Sequence, residues 1–161
     1  MTAAAAGAPY AFGRADLRLV PRADWAPMLE DDHRDGLPGL FGIDLVDVGP
    51  GHAEGRLVLR DEHMLAPGDP LHAGTVVALA DSCAGWGCIA SLPEGVGGFA
   101  TAELNVNLVG TTRAPDALLC TASMLHGGRT TQVWEATVRG ERDGRAVAHF
   151  RCTQFLLVLS R

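Results

Sequence analysis

The sequence predicts an α+β domain in which an antiparallel β-sheet curls around one long central helix, with an additional short helix near the N-terminus. Two observations carry this prediction. The segment 73–91 is apolar on nearly every side and is too long for an ordinary strand, so it should be a buried helix. The segments around it alternate apolar and polar residues and are separated by glycine-containing turns. A sheet that covers an all-round apolar helix has to curve around it.

Composition limits the classes of function. The chain has 161 residues, 47% of them hydrophobic and 20% charged, which predicts one globular domain over 21–161. We expect the Ala-rich start, 1–20, to be a disordered tail, because it lacks the basic start and apolar core of a signal peptide. The net charge of −6 gives no general attraction to nucleic acid or anionic membranes. We therefore expect a cytoplasmic protein with neither as a partner.

The cysteines show no pattern of a metal or redox site. Cys83, Cys88, Cys120 and Cys152 form no CxxC motif and no metal-type spacing with histidine. Buried apolar thiols in a reducing compartment are the simplest interpretation. No metal site is predicted.

The elements before the central helix follow from caps and alternation. A short helix is predicted at 23–34, with Asp24 as its N-cap and the segment "GLPG" at its end. Alternating residues predict strands at 43–48 and 53–60, joined by the turn "GPGH".

A polar loop at 61–70 leads into the central helix, 73–91, which Pro93 ends. The rest of the chain reads as strand, and the glycine-containing turns predict an antiparallel meander. The predicted strands are 98–109, 116–126, 130–139 and 145–158.

Several separated motifs resemble one known family. The stretch "LHAGTVVALADSCAG" (71–85) resembles the HGG-x(4)-LAD pattern of acyl-CoA thioesterases of the phenylacetate-degradation (PaaI) type and their 4-hydroxybenzoyl-CoA relatives. The segments "TAELNVNLVG" (101–110) and "HGGRTTQVWEATV" (126–138) resemble further motifs of that family, in the same order. The likeness covers roughly 39–158.

This resemblance implies a hot-dog fold and hydrolysis of an acyl-CoA or aryl-CoA thioester to the free acid and CoA. It implies no metal and no separate cofactor, since coenzyme A is part of the substrate. It also implies a homodimer that joins its sheets edge to edge and shares its active sites, with further pairing into a dimer of dimers, a homotetramer.

The resemblance also implies roles for single residues. Asp81 matches the catalytic carboxylate, and Thr101 matches a hydroxyl that helps to hold the attacking water. Ala73 matches the residue at the helix start whose backbone N–H polarises the thioester carbonyl, and His72 and Gly74 flank it. The family usually has glycine at the position of Ala73, but the N–H remains.

Two further segments are expected to contact the substrate. The turn residues Gly128, Arg129 and Thr130 match a segment that could meet a CoA phosphate, although a solvated turn arginine fits as well. Ala66 lies near the place where the family usually offers an asparagine or glutamine to the thioester or water. The loop before the helix is also one residue longer than usual in the family.

The same residues make physical sense for this chemistry. Asp81 is the only formally charged side chain in 71–93, so burial should raise its pKa and make it a stronger base once ionised. The N–H groups of Ala73 and Gly74 at the helix start can stabilise a developing oxyanion. Asp81 and Ala73 are eight positions apart, about 12 Å along a helix. If both act on one thioester, they must belong to different subunits.

Other interpretations remain open at this point. Asp81 could be a structural acid that is hydrogen-bonded to Ser82, Thr101 or the backbone. A hydratase or dehydratase using His72 is an alternative enzyme, although a structural role in the loop suits that histidine better. His63, at a similar loop position, is expected to be solvated or part of a turn. A non-catalytic acyl-CoA binding or sensing domain is the alternative outside enzymes, and Ala66 in place of an amide favours it.

Overall fold

The computed structural model describes residues 29, 31 and 33–158. The predicted tail and most of the predicted helix at 23–34 lie outside these residues, but Leu29, Asp31 and His33 are helical. A short helix α1 follows at Leu37–Phe41, where the sequence predicted only the end of a helix. Proline lies in its first turn, a position that proline tolerates because no intrahelical N–H bond is lost there.

Every predicted strand and the central helix are present, with ends that differ from the prediction by at most two residues. The elements after α1 are β1 (Ile43–Gly49), β2 (His52–Val58), a 3₁₀ turn (Asp61–His63), α2 (Ala73–Ala90), β3 (Val96–Leu108), β4 (Ala117–Gly127), β5 (Thr131–Gly140) and β6 (Ala146–Val158).

The strands form one six-stranded antiparallel sheet in the order β1-β2-β4-β5-β6-β3. The predicted meander is correct for β4, β5 and β6 but wrong for β3, which lies at the far edge beside β6. The difference follows from the connections. The links at 128–130 and 141–145 are short turns, whereas the link at 109–116 is long enough to cross to another part of the sheet. The predicted hot-dog fold class is confirmed.

Helix α2 fills the concave side of the sheet and packs against every strand. By length and composition it could cross a membrane, but most of it is covered by the sheet. Glycines allow this close packing. A Cβ on Gly87 would lie 2.5 Å from Cη2 of the Trp134 ring, and a Cβ on Gly55 would lie 2.6 Å from Sγ of Cys83. All four cysteines are buried and free, as predicted.

We predict that Gly87→Ala destabilises the fold. Alanine is favoured over glycine inside a helix by about 1 kcal/mol. The added methyl group would overlap the Trp134 ring, and overpacking of this kind costs about 1–3 kcal/mol. Urea unfolding should therefore show a net loss of stability. The double variant Gly87→Ala/Trp134→Phe removes the ring atoms that clash and should lose less than the sum of the single variants. Additive losses would contradict this packing account.

Candidate active site

The N-terminus of α2 leaves one backbone donor available. His72 is the N-cap, and its Nδ1 accepts the Gly74 N–H at 2.9 Å. The His72 carbonyl accepts the Thr75 N–H at 3.0 Å. Ala73 is exposed, and its N–H has no hydrogen-bond partner among the described residues. Of the two donors that the sequence predicts, the Gly74 N–H is therefore engaged, and the Ala73 N–H is available to a ligand.

His63 fixes the loop that leads to this helix start. Of the two expectations for His63, the turn is confirmed, since the residue ends the 3₁₀ turn, and the solvated side chain is wrong. The side chain is 2% exposed and stacks on Phe41 with ring centroids 5.9 Å apart. Its Nδ1 accepts the Arg60 N–H at 3.0 Å, so Nε2 carries the proton and donates to the Phe41 carbonyl at 3.0 Å. The His63 carbonyl in turn accepts the His72 N–H and the Thr75 hydroxyl.

Burial keeps this histidine neutral. Desolvation, with a smaller contribution from the nearby Arg60 guanidinium, lowers the pKa of His63. A neutral ring can accept the backbone N–H of Arg60, and a protonated ring cannot. The loop geometry before α2 therefore depends on the uncharged form of His63, which no local sequence pattern indicated.

Asp81 lies half-buried in the middle of α2. Its Oδ1 is 3.5 Å from the hydroxyl of Thr101 on β3. Burial raises the pKa of the Asp81 carboxyl, as the sequence predicted, and the Thr101 hydroxyl opposes that rise. A 3.5 Å contact is at the long limit of a hydrogen bond, so desolvation dominates. The arrangement suits a carboxylate that accepts a proton from a bound water.

A buried glutamine that the sequence did not single out completes this site. Thr101 Oγ1 donates to Gln154 Oε1 at 3.0 Å, and Gln154 is fully buried on β6, directly opposite Thr101 in the sheet. Gln154 Nε2 donates to Cys152 Sγ at 3.4 Å. The signal was present in the alternation of β6, where the inward positions Phe150, Cys152 and Leu156 are apolar and only Gln154 carries an amide.

Ala66, at the loop position where the sequence has no amide, lies in a turn before α2. Ala66 is exposed, and its carbonyl accepts the Asp69 N–H at 2.9 Å in a turn. No side-chain amide of the described residues forms a hydrogen bond with Asp81, and the amide of Gln154 is linked to it only through Thr101.

The turn between β4 and β5 carries an arginine side chain without an ion-pair partner among the described residues. The Gly128 N–H donates to the Thr131 carbonyl at 2.8 Å and is not available to a phosphate. Arg129 and Thr130 are exposed, and the Arg129 guanidinium has no ion pair among the described residues. None of the described hydrogen bonds joins this turn to Asp81.

The site lies beside the open edge of the sheet. Thr101 belongs to the edge strand β3, whose residues 100–105 are all exposed, and Leu104 and Leu108 present apolar side chains there. The opposite edge, β1, carries the exposed acids Asp44 and Asp47 and one bulge. Strand β3 also carries an exposed acid, Glu103, and two bulges, so what distinguishes β3 is its exposed leucine side chains.

Comparison with known proteins identifies the family. The model of the thioesterase superfamily matches residues 70–147. The chain is 32% identical over 118 residues to a 1,4-dihydroxy-2-naphthoyl-CoA hydrolase from Listeria monocytogenes serotype 1/2a (strain 10403S), and the match covers 73% of this chain and 93% of that protein.

Solved structures also resemble this chain. A conserved protein from Pseudomonas aeruginosa is 31% identical, with a TM-score of 0.67 and coverage of 74% of this chain and 92% of that one. The PaaI protein of the Escherichia coli phenylacetic acid degradation operon has a TM-score of 0.72 at 21% identity, with coverage of 85% and 96%, and supports the fold alone.

Fold and family together define a hot-dog enzyme that cleaves a thioester. The chain belongs to the thioesterase superfamily. The predictions of this family and of a thioesterase are confirmed.

We predict that Asp81→Asn stabilises the folded protein at neutral pH. The pKa of this carboxyl is raised above its ordinary value of 3.8 in the folded state. Folding therefore gains from the protonated form below that value, and the gain is lost as the pH rises through the folded-state pKa. Removing the charge should raise Tm at pH 7, and the difference should shrink as the pH falls toward 4.

Thermal melts between pH 4 and pH 8, at constant protein concentration, measure this difference. Asp69→Asn, at an exposed position of the preceding loop, is the matched control and should leave Tm nearly unchanged. A lower Tm of Asp81→Asn at pH 7 would show that the carboxylate stabilises the fold and is a structural acid.

Proposed function

We propose that the protein hydrolyses an acyl-CoA or aryl-CoA thioester to the free acid and CoA, as a homodimer with shared active sites. The observation that carries this proposal is the half-buried carboxylate of Asp81, which faces a hydroxyl on the open edge strand β3. The name of the Listeria relative, a naphthoyl-CoA hydrolase, supports a CoA thioester with an aromatic acyl group.

In the general-base route, Asp81 takes a proton from a water molecule that the Thr101 hydroxyl helps to hold. The resulting hydroxide attacks the thioester carbonyl carbon, and the Ala73 N–H stabilises the oxyanion at the positive end of the helix dipole. The C–S bond then breaks, and the CoA thiolate takes the proton back from Asp81.

In the nucleophilic route, an Asp81 oxygen attacks the carbonyl carbon directly. The CoA thiolate leaves, and a mixed anhydride remains on Asp81. Water then cleaves the anhydride and restores the carboxylate. The two routes use the same residues and differ in whether an acyl anhydride forms on Asp81. Oxygen from labelled water enters the Asp81 carboxyl only in the nucleophilic route, and only when water attacks the Asp81 carbonyl carbon and not the acyl carbon.

The separation of the two groups requires two subunits. Ala73 begins α2 and Asp81 follows eight positions later, so about 12 Å separates them along one helix. One carbonyl group cannot contact both at about 3 Å. Pairing of two β3 edges brings two copies of α2 side by side in opposite directions and lets the Ala73 N–H of one copy approach the Asp81 of the other.

The remaining predicted residues fit the CoA portion of the substrate. The unpaired Arg129 guanidinium is the strongest candidate for a CoA phosphate, with Gly128 and Thr130 shaping its turn. His72 holds the helix start through its Nδ1 and acts as a structural residue next to the thioester. This role leaves little support for a hydratase that uses His72. We expect the dimers to pair again and the protein to be cytoplasmic.

A non-catalytic acyl-CoA binding domain is the second candidate, and one observation favours it. Ala66 and its exposed neighbours offer no side-chain amide to the thioester or water. The two candidates differ in whether bound acyl-CoA releases free thiol.

We predict thiol release from CoA thioesters that depends on Asp81. A panel of aryl-, short-chain and long-chain acyl-CoAs, followed with a thiol reagent, should show turnover that is fastest for aryl substrates. Asp81→Asn should lower kcat by about 10²-fold or more, because it removes the base or nucleophile. Binding of acyl-CoA without thiol release would favour the sensing domain, and full activity of Asp81→Asn would exclude the catalytic role.

We predict that Ala73→Pro folds but loses turnover. Proline fits the first position of a helix, and His72 has φ −73° and ψ 133°, a conformation that suits the residue before a proline. The substitution deletes the N–H that stabilises the oxyanion, so kcat should fall by about 10²–10³-fold while Tm changes little. Ala73→Ser, which keeps the N–H, is the matched control. Equal activity of the proline and serine variants would exclude the Ala73 N–H as the donor.

A further inference from the structure

The Thr101 hydroxyl lies between two acceptors but has only one proton. Its Oγ1 is 3.0 Å from Gln154 Oε1 and 3.5 Å from Asp81 Oδ1. A hydroxyl can donate to one acceptor at a time, and the shorter contact is the stronger hydrogen bond. The hydroxyl proton therefore points toward Gln154, and Asp81 receives little of it.

The surroundings of Gln154 hold its amide in this orientation. The side chain is fully buried between the sheet and α2, and its Nε2 donates to Cys152 Sγ at 3.4 Å on the same strand. Turning the amide over would place Nε2 against the threonine hydroxyl and remove the donor that now faces the sulfur. In the orientation present, Oε1 faces the Thr101 hydroxyl and Nε2 faces the sulfur, so both ends of the buried amide have partners.

We propose that Gln154 is a positioning residue that holds the hydroxyl proton of Thr101 away from Asp81 and so keeps the Asp81 carboxylate a stronger base. The inference rests on the proposed role of Asp81 and deepens it. Gln154 does not touch the substrate, because it is fully buried and reaches Asp81 only through Thr101. Gln154 does not take the place of the side-chain amide that is missing at Ala66. It nevertheless contributes a buried amide to the site, from strand β6.

The electrostatics of the site agree with this role. Burial raises the pKa of Asp81, and donation from Thr101 is the one opposing contribution from a described residue. Gln154 competes for the same hydroxyl proton at the shorter distance and so weakens that opposition. The Cys152 thiol on β6 is the other titratable group that feels the Asp81 charge, and burial raises the pKa of this thiol to about 12. It stays neutral in the working range and does not contribute to the acid limb of the pH profile.

The test replaces the amide by a side chain of similar length with no amide donor or acceptor. In Gln154→Met, the Thr101 hydroxyl is free to turn to Asp81 and stabilise its charged form. The acid limb of kcat/KM should move to lower pH by about half to one unit, since a freed hydrogen bond is worth about that much. The maximal kcat should fall a few-fold, because the base is weaker.

The chain offers a matched control. Gln132 is also buried, lies opposite Gln154 in the β5–β6 pair, and bonds Trp134 and the Ser91 carbonyl. Gln132→Met should lower Tm as much as Gln154→Met or more and leave the acid limb in place. An equal shift in both variants, or no shift in Gln154→Met, would overturn the positioning role.

A Thr101→Val background tests whether Gln154 acts on Asp81 through the Thr101 hydroxyl. In a Thr101→Val protein no hydroxyl can turn, so adding Gln154→Met should no longer move the acid limb. A shift that persists in this background would overturn the inference.

An NMR titration of the Asp81 carboxyl carbon tests the positioning role separately from the proposed function. The signal is assigned by its loss in Asp81→Asn. A lower titration midpoint in Gln154→Met supports the positioning role even if activity proves independent of Asp81, in which case only the proposed function fails. An unchanged midpoint overturns the positioning role itself.

Discussion

The desolvation of one carboxylate is the constraint on which the rest of the structure depends. Asp81 lies in a helix that is otherwise apolar and is enclosed by a six-stranded sheet. The enclosure requires close approach of the helix to the strands, which Gly55 and Gly87 provide. It also withholds compensating partners, because among the described residues only Thr101 reaches the carboxylate, at 3.5 Å. The fold thus keeps an acid in the state in which it is most useful as a base, at the expense of stability.

At the start of the same helix, by contrast, nearly every polar group of the described residues has a hydrogen-bond partner. Neutral His63 joins α1, the preceding loop and α2, while His72 takes up the Gly74 N–H. What remains is a single exposed donor, the Ala73 N–H, at the positive end of the helix. The Asp81 carboxylate and the Ala73 N–H, each with few hydrogen-bond partners among the described residues, therefore lie on one helix about 12 Å apart. In the proposed dimer, pairing at the β3 edge brings the two groups together in two copies.

Much of this could be predicted from the sequence, because the periods of strands and helices are local. The alternation of β2 and β6 and the apolar length of α2 fixed the elements to within two residues. The position of β3 was missed, because alternation reports which face is buried and not which strand is the neighbour. His63 and Gln154 were missed because their roles depend on contacts with residues distant in the chain, such as Phe41 and Thr101. The occupied Gly74 N–H was missed because the side-chain direction of His72 is not a property of the sequence pattern.

The central claim, that each active site combines Asp81 of one subunit with the Ala73 N–H of the other, is tested most directly in a mixed dimer. A heterodimer of Asp81→Asn and Ala73→Pro subunits, purified through two different tags, contains one site with both groups intact and one site with both lost. The account predicts thiol release from CoA thioesters at about half the wild-type rate per dimer, although each parent homodimer is nearly inactive. A heterodimer no more active than its parents would place both groups in the same subunit and contradict the account.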